Sequence, residues 1–328
     1  MGLGFNLDPA VPMSEAVRRV ALAEVDSAYG ALASPPERHK GVHDARKCLK
    51  RLRSLLVLIQ PGLPEPVFLS LTERLKTLAR GLAPARDADA LLDAIDKLAG
   101  ETEGDQDATP IRALRAWLHK RRQAAGRNLE SSTASDAMRG LFALRPAMAN
   151  LAVYPDAFRP VAEGLRDSYR RGRKAFSRAI DSGSDEDFHE WRKTLQHHWR
   201  HMQLLTPCWP SELSARVEAA RALSQILGDD HDIALLRQLV SAPTMVFASP
   251  EDTAAFLKRC RNRHKALRQD ARMRGERLFA ERSRPFVERI EAYWLAAAQR
   301  AEKPAIIART GNVVAFGEVG TGRARASG

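Results

Sequence analysis

VHDARKCLKRLRSLLVLIQP, residues 42–61, governs how the chain is read, because FHEWRKTLQHHWRHMQLLTP, residues 188–207, repeats its plan about 146 positions later. At 100° per residue the first stretch reads as a two-sided helix. His43, Arg46, Lys47, Lys50 and Ser54 fall on one face, opposed by Ala45, Leu49, Leu52, Leu56 and Ile59. In the second stretch His189, Arg192, Lys193, Gln196 and Arg200 share a face, opposed by Trp191, Leu195, Met202 and Leu205. A charged helix face is ordinarily a solvated one, and such faces mix signs to gain i,i+4 pairs. These two hold several cations with only Asp44 and Glu190 at their margins. Like charges one turn apart repel, and an anion placed between the two faces would remove that cost.

Composition agrees with a partner of negative charge. The chain has 328 residues and a formal net charge of +12, and its pI is near 10.0. That balance points to nucleic acid, a phosphate polymer or an anionic surface. The length allows one large core or two domains of ordinary size. Cys48, Cys208 and Cys260 are odd in number and widely spaced, which fits buried free thiols in a reducing compartment. No stretch approaches 18 uncharged apolar residues, so no membrane span is expected. MGLGFNLDPAVP lacks the basic and apolar regions of a signal peptide. A cytoplasmic protein with no membrane partner is the expectation.

Taken in order, the sequence predicts helices over 13–33, 37–60, 67–82, 87–100, 111–130 and 136–153. Pro155 marks a boundary, after which helices are predicted over 158–180, 188–207, 213–227, 233–240, 252–280 and 285–299. The acidic turn 181–187 is placed to cap the second His helix. Gly228-Asp229-Asp230-His231-Asp232 matches Arg86-Asp87 by position, and both read as joints where a helix breaks and resumes. Period-two alternation is scarce, so the fold class is all-α. Two halves of about 145 residues predict two related four-helix bundles with pseudo-two-fold symmetry, each with its own core, facing each other across a basic channel. The domains are then a lead at 1–12, a first bundle at 13–153, a second at 154–300, and a tail at 301–328 rich in Gly and without sustained period.

The ordered pair VHDARKCLKRLR (42–53) and FHEWRKTLQHHWR (188–200), the two joints, and the basic helix ending in GERLFAER (275–282) resemble the conserved-histidine α-helical domain family, CHAD. The resemblance covers about residues 13–299. It implies binding of inorganic polyphosphate in a basic channel and association with polyphosphate granules; no cofactor or metal is expected. It departs from the family pattern at Gln196, which stands where Lys50 does, and at His198, which replaces an apolar residue. The site it implies comprises His43, Arg46, Lys47, Lys50, Arg51, Arg112, Arg115, His119, Arg166, Arg170, Arg173, His189, Arg192, Lys193, Arg200, Lys258, Arg261, Lys265 and Arg268. Asp87 and Asp232 would orient those cations from behind, or serve only as helix caps. The chemistry suits such a ligand, since Arg offers a planar fork to phosphate oxygens and Lys a compact charge.

Two other function classes are open at this stage. His43-Asp44 and His231-Asp232 resemble pairs of metal-dependent phosphohydrolases, and His197 and His201 have a spacing that can bind zinc. Neither set is complete, so no catalytic residue is expected. A nucleic-acid binder fits the charge, but the basic stripes lack interleaved aromatics for base stacking. His198 points to the apolar side and reads as a core histidine.

Overall fold

The computed structural model describes residues 4–33, 38–82, 87–100, 111–120, 131–242 and 249–302, and every regular element among them is helical. The helices are α1 (Met13–Ala33), α2 (Arg38–Ile59), α3 (Glu65–Gly81), α4 (Asp87–Gly100), α5 (described over 111–120), α6 (Ser131–Ala149), α7 (Arg159–Ser182), α8 (Asp185–Leu205), α9 (Pro210–Val240), α10 (Pro250–Leu278) and α11 (Ser283–Glu302). Arg86, the loop 101–110, the predicted helical residues 121–130 and the tail beyond Glu302 lie outside the described residues, as does the side chain of Asp87.

The apolar stripe of the first His helix is buried as its spacing demands. Ala45, Leu49, Leu52, Leu56 and Ile59 are all at most 1% exposed. The helix stops where Pro61 and Gly62 turn the chain through a 3-10 turn, Gln60–Gly62. α2 packs against α1, α7 and α8. Its crossing with α7 is close: a Cβ on Gly164 would lie 1.9 Å from the Leu58 carbonyl oxygen, so only glycine fits there. The turn between α7 and α8 is equally defined. Gly183 adopts φ +62° to end α7, and the cap of α8 is Ser184, whose hydroxyl accepts from the Asp187 N–H at 3.2 Å. Asp185, Glu186 and Asp187 supply the negative first turn.

Two expectations are corrected. Gly228–Asp232 is not a joint, because α9 runs unbroken from Pro210 to Val240. A glycine inside a helix costs about 1 kcal/mol, and tertiary partners offset it. Asp229 accepts from Lys97 Nζ at 2.7 Å, and Asp230, buried, pairs with Arg268 Nε at 3.1 Å. Asp232 therefore cannot be a cap.

The cores also do not divide one per half. The larger draws on α1, α2, α3, α6, α7, α8, α11, the first part of α9 and the last part of α10, through Ala271 and Leu278. The smaller joins Leu92, Ile95 and Leu98 of α4 and Ile111, Leu114 and Leu118 of α5 to Ile233, Leu236 and Val240 of α9 and Phe256, Cys260 and Leu267 of α10. Sequence halves interleave because α9 and α10 are each long enough to serve both cores. The three cysteines are free and buried. No helix among the described residues is long and apolar enough to cross a membrane.

Candidate functional site

With their apolar stripes committed to the core, the polar faces of α2 and α8 meet. A cavity of about 220 Å³ lies between them and α9. His43, Arg46, Lys47 and Lys50 line it from α2, Arg192, Gln196, Trp199 and Arg200 from α8, and Arg221, Ser224, Gln225, Gly228 and Asp232 from α9. A second cavity of about 190 Å³ is lined by Lys50, Arg53, Ser54, Lys193, Gln196, His197 and Arg200. Sharing Lys50, Gln196 and Arg200, the two form one groove. Among the described residues, eight Lys or Arg side chains and one carboxylate, Asp232, line it.

Arg200 is the least ordinary of these. It is 6% exposed and forms no ion pair among the described residues. Nη1 donates to the Gln196 carbonyl at 2.8 Å, the guanidinium lies 4.5 Å over the Trp199 ring, and Nε is buried without a hydrogen-bond partner. Burial, reinforced by Arg51 and Arg53, lowers its pKa to about 9. Cations are almost never buried unless paired, so this position is short of a negative charge.

Histidines stand in and behind the groove. Ser54 Oγ donates to the Lys50 carbonyl at 3.0 Å and so accepts from His197 Nδ1 at 3.1 Å, while His201 Nε2 donates to the Ser54 carbonyl at 2.9 Å. This ties α8 to α2 and occupies one nitrogen of each ring in the pair that spacing offered to zinc. Among the described residues no group of three His, Cys, Asp or Glu is arranged to hold a metal. Loss of solvent, with His201 and Arg200 nearby, holds His197 well below the usual imidazole pKa. Burial brings His201 down to about 4. His198 is buried in the core, where its Nε2 accepts from Arg216 Nε at 3.3 Å. The His189 ring packs 4.4 Å from that of His231. Desolvation first, then Lys193 and Arg192, lowers the His189 pKa. His231 falls to about 4 through desolvation, Arg192 and His189.

Of the residues singled out from sequence, the groove gathers His43, Arg46, Lys47, Lys50, Arg192, Lys193, Arg200 and Asp232. The others whose side chains are described line neither cavity. Arg51 turns to the buried carboxylate of Glu24 at 3.2 Å. Arg268 donates to Asp230, to Asp185 at 2.6 Å and to the Gly183 carbonyl, over the Phe188 ring. Both are structural clamps, because a buried acid claims each. Arg173 Nε donates to the Phe279 carbonyl at 3.1 Å, Arg170 pairs with Asp167 at 3.0 Å, and Arg115 pairs with Asp96. Arg112, His119, Arg166, Lys258, Arg261 and Lys265 are exposed, and His189 stands beside the groove against His231.

Arg53, Trp199, Arg221, Ser224 and Gln225 were not anticipated. Arg53 follows Lys50 by three positions and Arg46 by seven, so helical spacing contained that signal. The α9 residues share a stripe at 221, 224/225, 228 and 232, hidden by the expectation of a break at Gly228.

The CHAD domain profile matches residues 21–241. The chain belongs to the CHAD family. Solved CHAD-like structures agree on the fold. A CHAD domain from the plant Ricinus communis aligns over 90% of this chain and 96% of its own, with 17% identity and a TM-score of 0.55. PptA from Streptomyces chartreusis aligns over 83% of this chain and all of its own, with 17% identity and a TM-score of 0.59. No curated relative matches the chain. The CHAD match covers all three helices that build the groove.

Proposed function

We propose that the groove between α2, α8 and α9 binds inorganic polyphosphate. The observation that carries this reading is Arg200: a buried cation with no ion pair among the described residues, standing where both cavities meet. A polymer with a negative charge at each phosphate meets the eight cations as a continuous counter-charge. Arg46, Arg192 and Arg200 would take phosphate oxygens with their guanidinium forks, and Lys47, Lys50 and Lys193 would act as compact charges. His43 would donate from its imidazole. Family membership supports the same reading, because the sequence resemblance already implied this ligand.

The duplicated motif is proposed to work as a pseudo-two-fold pair, whatever the division of the cores. Arg46 and Arg192, Lys47 and Lys193, and Lys50 and Gln196 are equivalent positions 146 apart, and all six line the groove. The groove is read as a binding site without a catalysed step, since among the described residues its lining holds one carboxylate and no second acid for general acid–base work. A cytoplasmic protein that meets polyphosphate free or at granules is the biological setting proposed. Titration with long-chain polyphosphate tests the reading: saturable binding, lost in Arg46→Ala/Lys47→Ala, is expected, and binding unchanged by that pair would overturn it.

A further inference from the structure

A groove meant for phosphates alone does not account for its α9 side. On α9 the lining is Arg221, Ser224 and Gln225, and the neighbouring part of α8 adds Gln196 and Trp199. Trp199 is the one aromatic residue lining the groove among the described residues. Its indole is stacked by the Arg200 guanidinium at 4.5 Å, which makes a planar, cationic platform. Inorganic polyphosphate can accept from a hydroxyl or an amide nitrogen, but it has no π-surface to place on the platform and no donor to offer an amide oxygen. A nucleobase uses both. Its face stacks on indole or guanidinium planes, and its edges and sugar hydroxyls pair with amide and hydroxyl groups. Gln225 already directs its amide nitrogen to Asp229 Oδ1 at 3.0 Å, which leaves its amide oxygen as an acceptor for a base or sugar donor. The cations of α2 stand across the same cavity, where a 5′-phosphate chain would lie.

We infer that the groove also takes nucleoside 5′-polyphosphates, the base on the Trp199–Arg200 platform and the phosphates on Arg46, Lys47 and Lys50. This inference rests on the polyphosphate reading of the same groove. The test is calorimetric titration of the full chain with ATP and with tripolyphosphate, both free of magnesium. Tripolyphosphate has the same three phosphoryl groups and at least as much charge, so electrostatics alone favours it. Stacking should reverse that order, with ATP about fivefold tighter or more, the low end of base–aromatic stacking. The ratio should fall to one or below in Trp199→Leu and be largely retained in Trp199→Phe. A wild-type ratio at or below one, or a ratio that Trp199→Leu leaves unmoved, overturns the inference while the polyphosphate reading stands. If wild type binds neither ligand, the polyphosphate reading itself fails, and this inference with it.

Discussion

Arg200 shows how one side chain can be costly for folding and useful for binding. Its guanidinium is buried with Arg51 and Arg53 nearby and forms no ion pair among the described residues, and burial, reinforced by those two cations, lowers its pKa to about 9. A depressed cation penalises the folded state at every pH below its ordinary value, so near neutral pH the full penalty applies. Arg200→Met keeps the length of the side chain and removes the charge. Its free protein should melt at the same temperature or higher, while polyphosphate affinity drops about tenfold or more, the loss of a charge-assisted hydrogen bond. A lower melting temperature with unchanged affinity would make Arg200 structural. His189 carries the complementary prediction. Desolvation, Lys193 and Arg192 hold it below its ordinary pKa in the free protein, and an anion arriving at those cations must raise it. Binding should then take up protons and tighten as pH falls toward 6. Calorimetry in buffers of different ionisation enthalpy reads that uptake, which should shrink in His189→Ala.

At the scale of elements, the helices were legible because each apolar stripe has one solution. Spacing alone set α1 at Met13–Ala33 and α2 within a residue or two of its ends. Gly228–Asp232 was misread because helix propensity is weak against partners distant in sequence: Lys97 on α4 and Arg268 on α10 hold Asp229 and Asp230 inside a continuous α9. Periodicity likewise could not show that Arg51 and Arg268 meet Glu24 and Asp230 arriving from other helices. Two measurements test the packing. Gly164→Ala would push a methyl group into the Leu58 carbonyl, and it should destabilise the fold by about 1–3 kcal/mol or more in urea unfolding. The seam of α8 should also weaken in acid. The pKa of His201, about 4 in the folded chain, is depressed, as is that of His198. The stability tied to each is complete above the unfolded value near 6.5 and is lost as pH falls through the folded one. The urea midpoint should decline between pH 6.5 and 4, and less steeply in His201→Gln. A flat profile would mean that neither ring resists protonation.

Across the whole molecule, a net charge of +12 becomes a binding device only where folding concentrates it. Many surface cations are neutralised locally, as in Arg159–Glu163, Arg272–Glu276 and Arg284–Glu288. The groove gathers eight cations in one place, of which Lys193 pairs with Glu190 at the margin. An extended polyanion lying there would release condensed counterions, as nucleic acids do when cations neutralise their phosphates. The most direct measurement is a competition titration of long-chain polyphosphate against single-stranded and duplex DNA at matched charge, repeated from about 50 to 200 mM salt. Polyphosphate should displace both DNAs, and its affinity should fall by about 10³-fold or more across that range, as for 6–10 phosphate contacts. DNA binding as tightly as polyphosphate, or a polyphosphate affinity that barely responds to salt, would contradict the account.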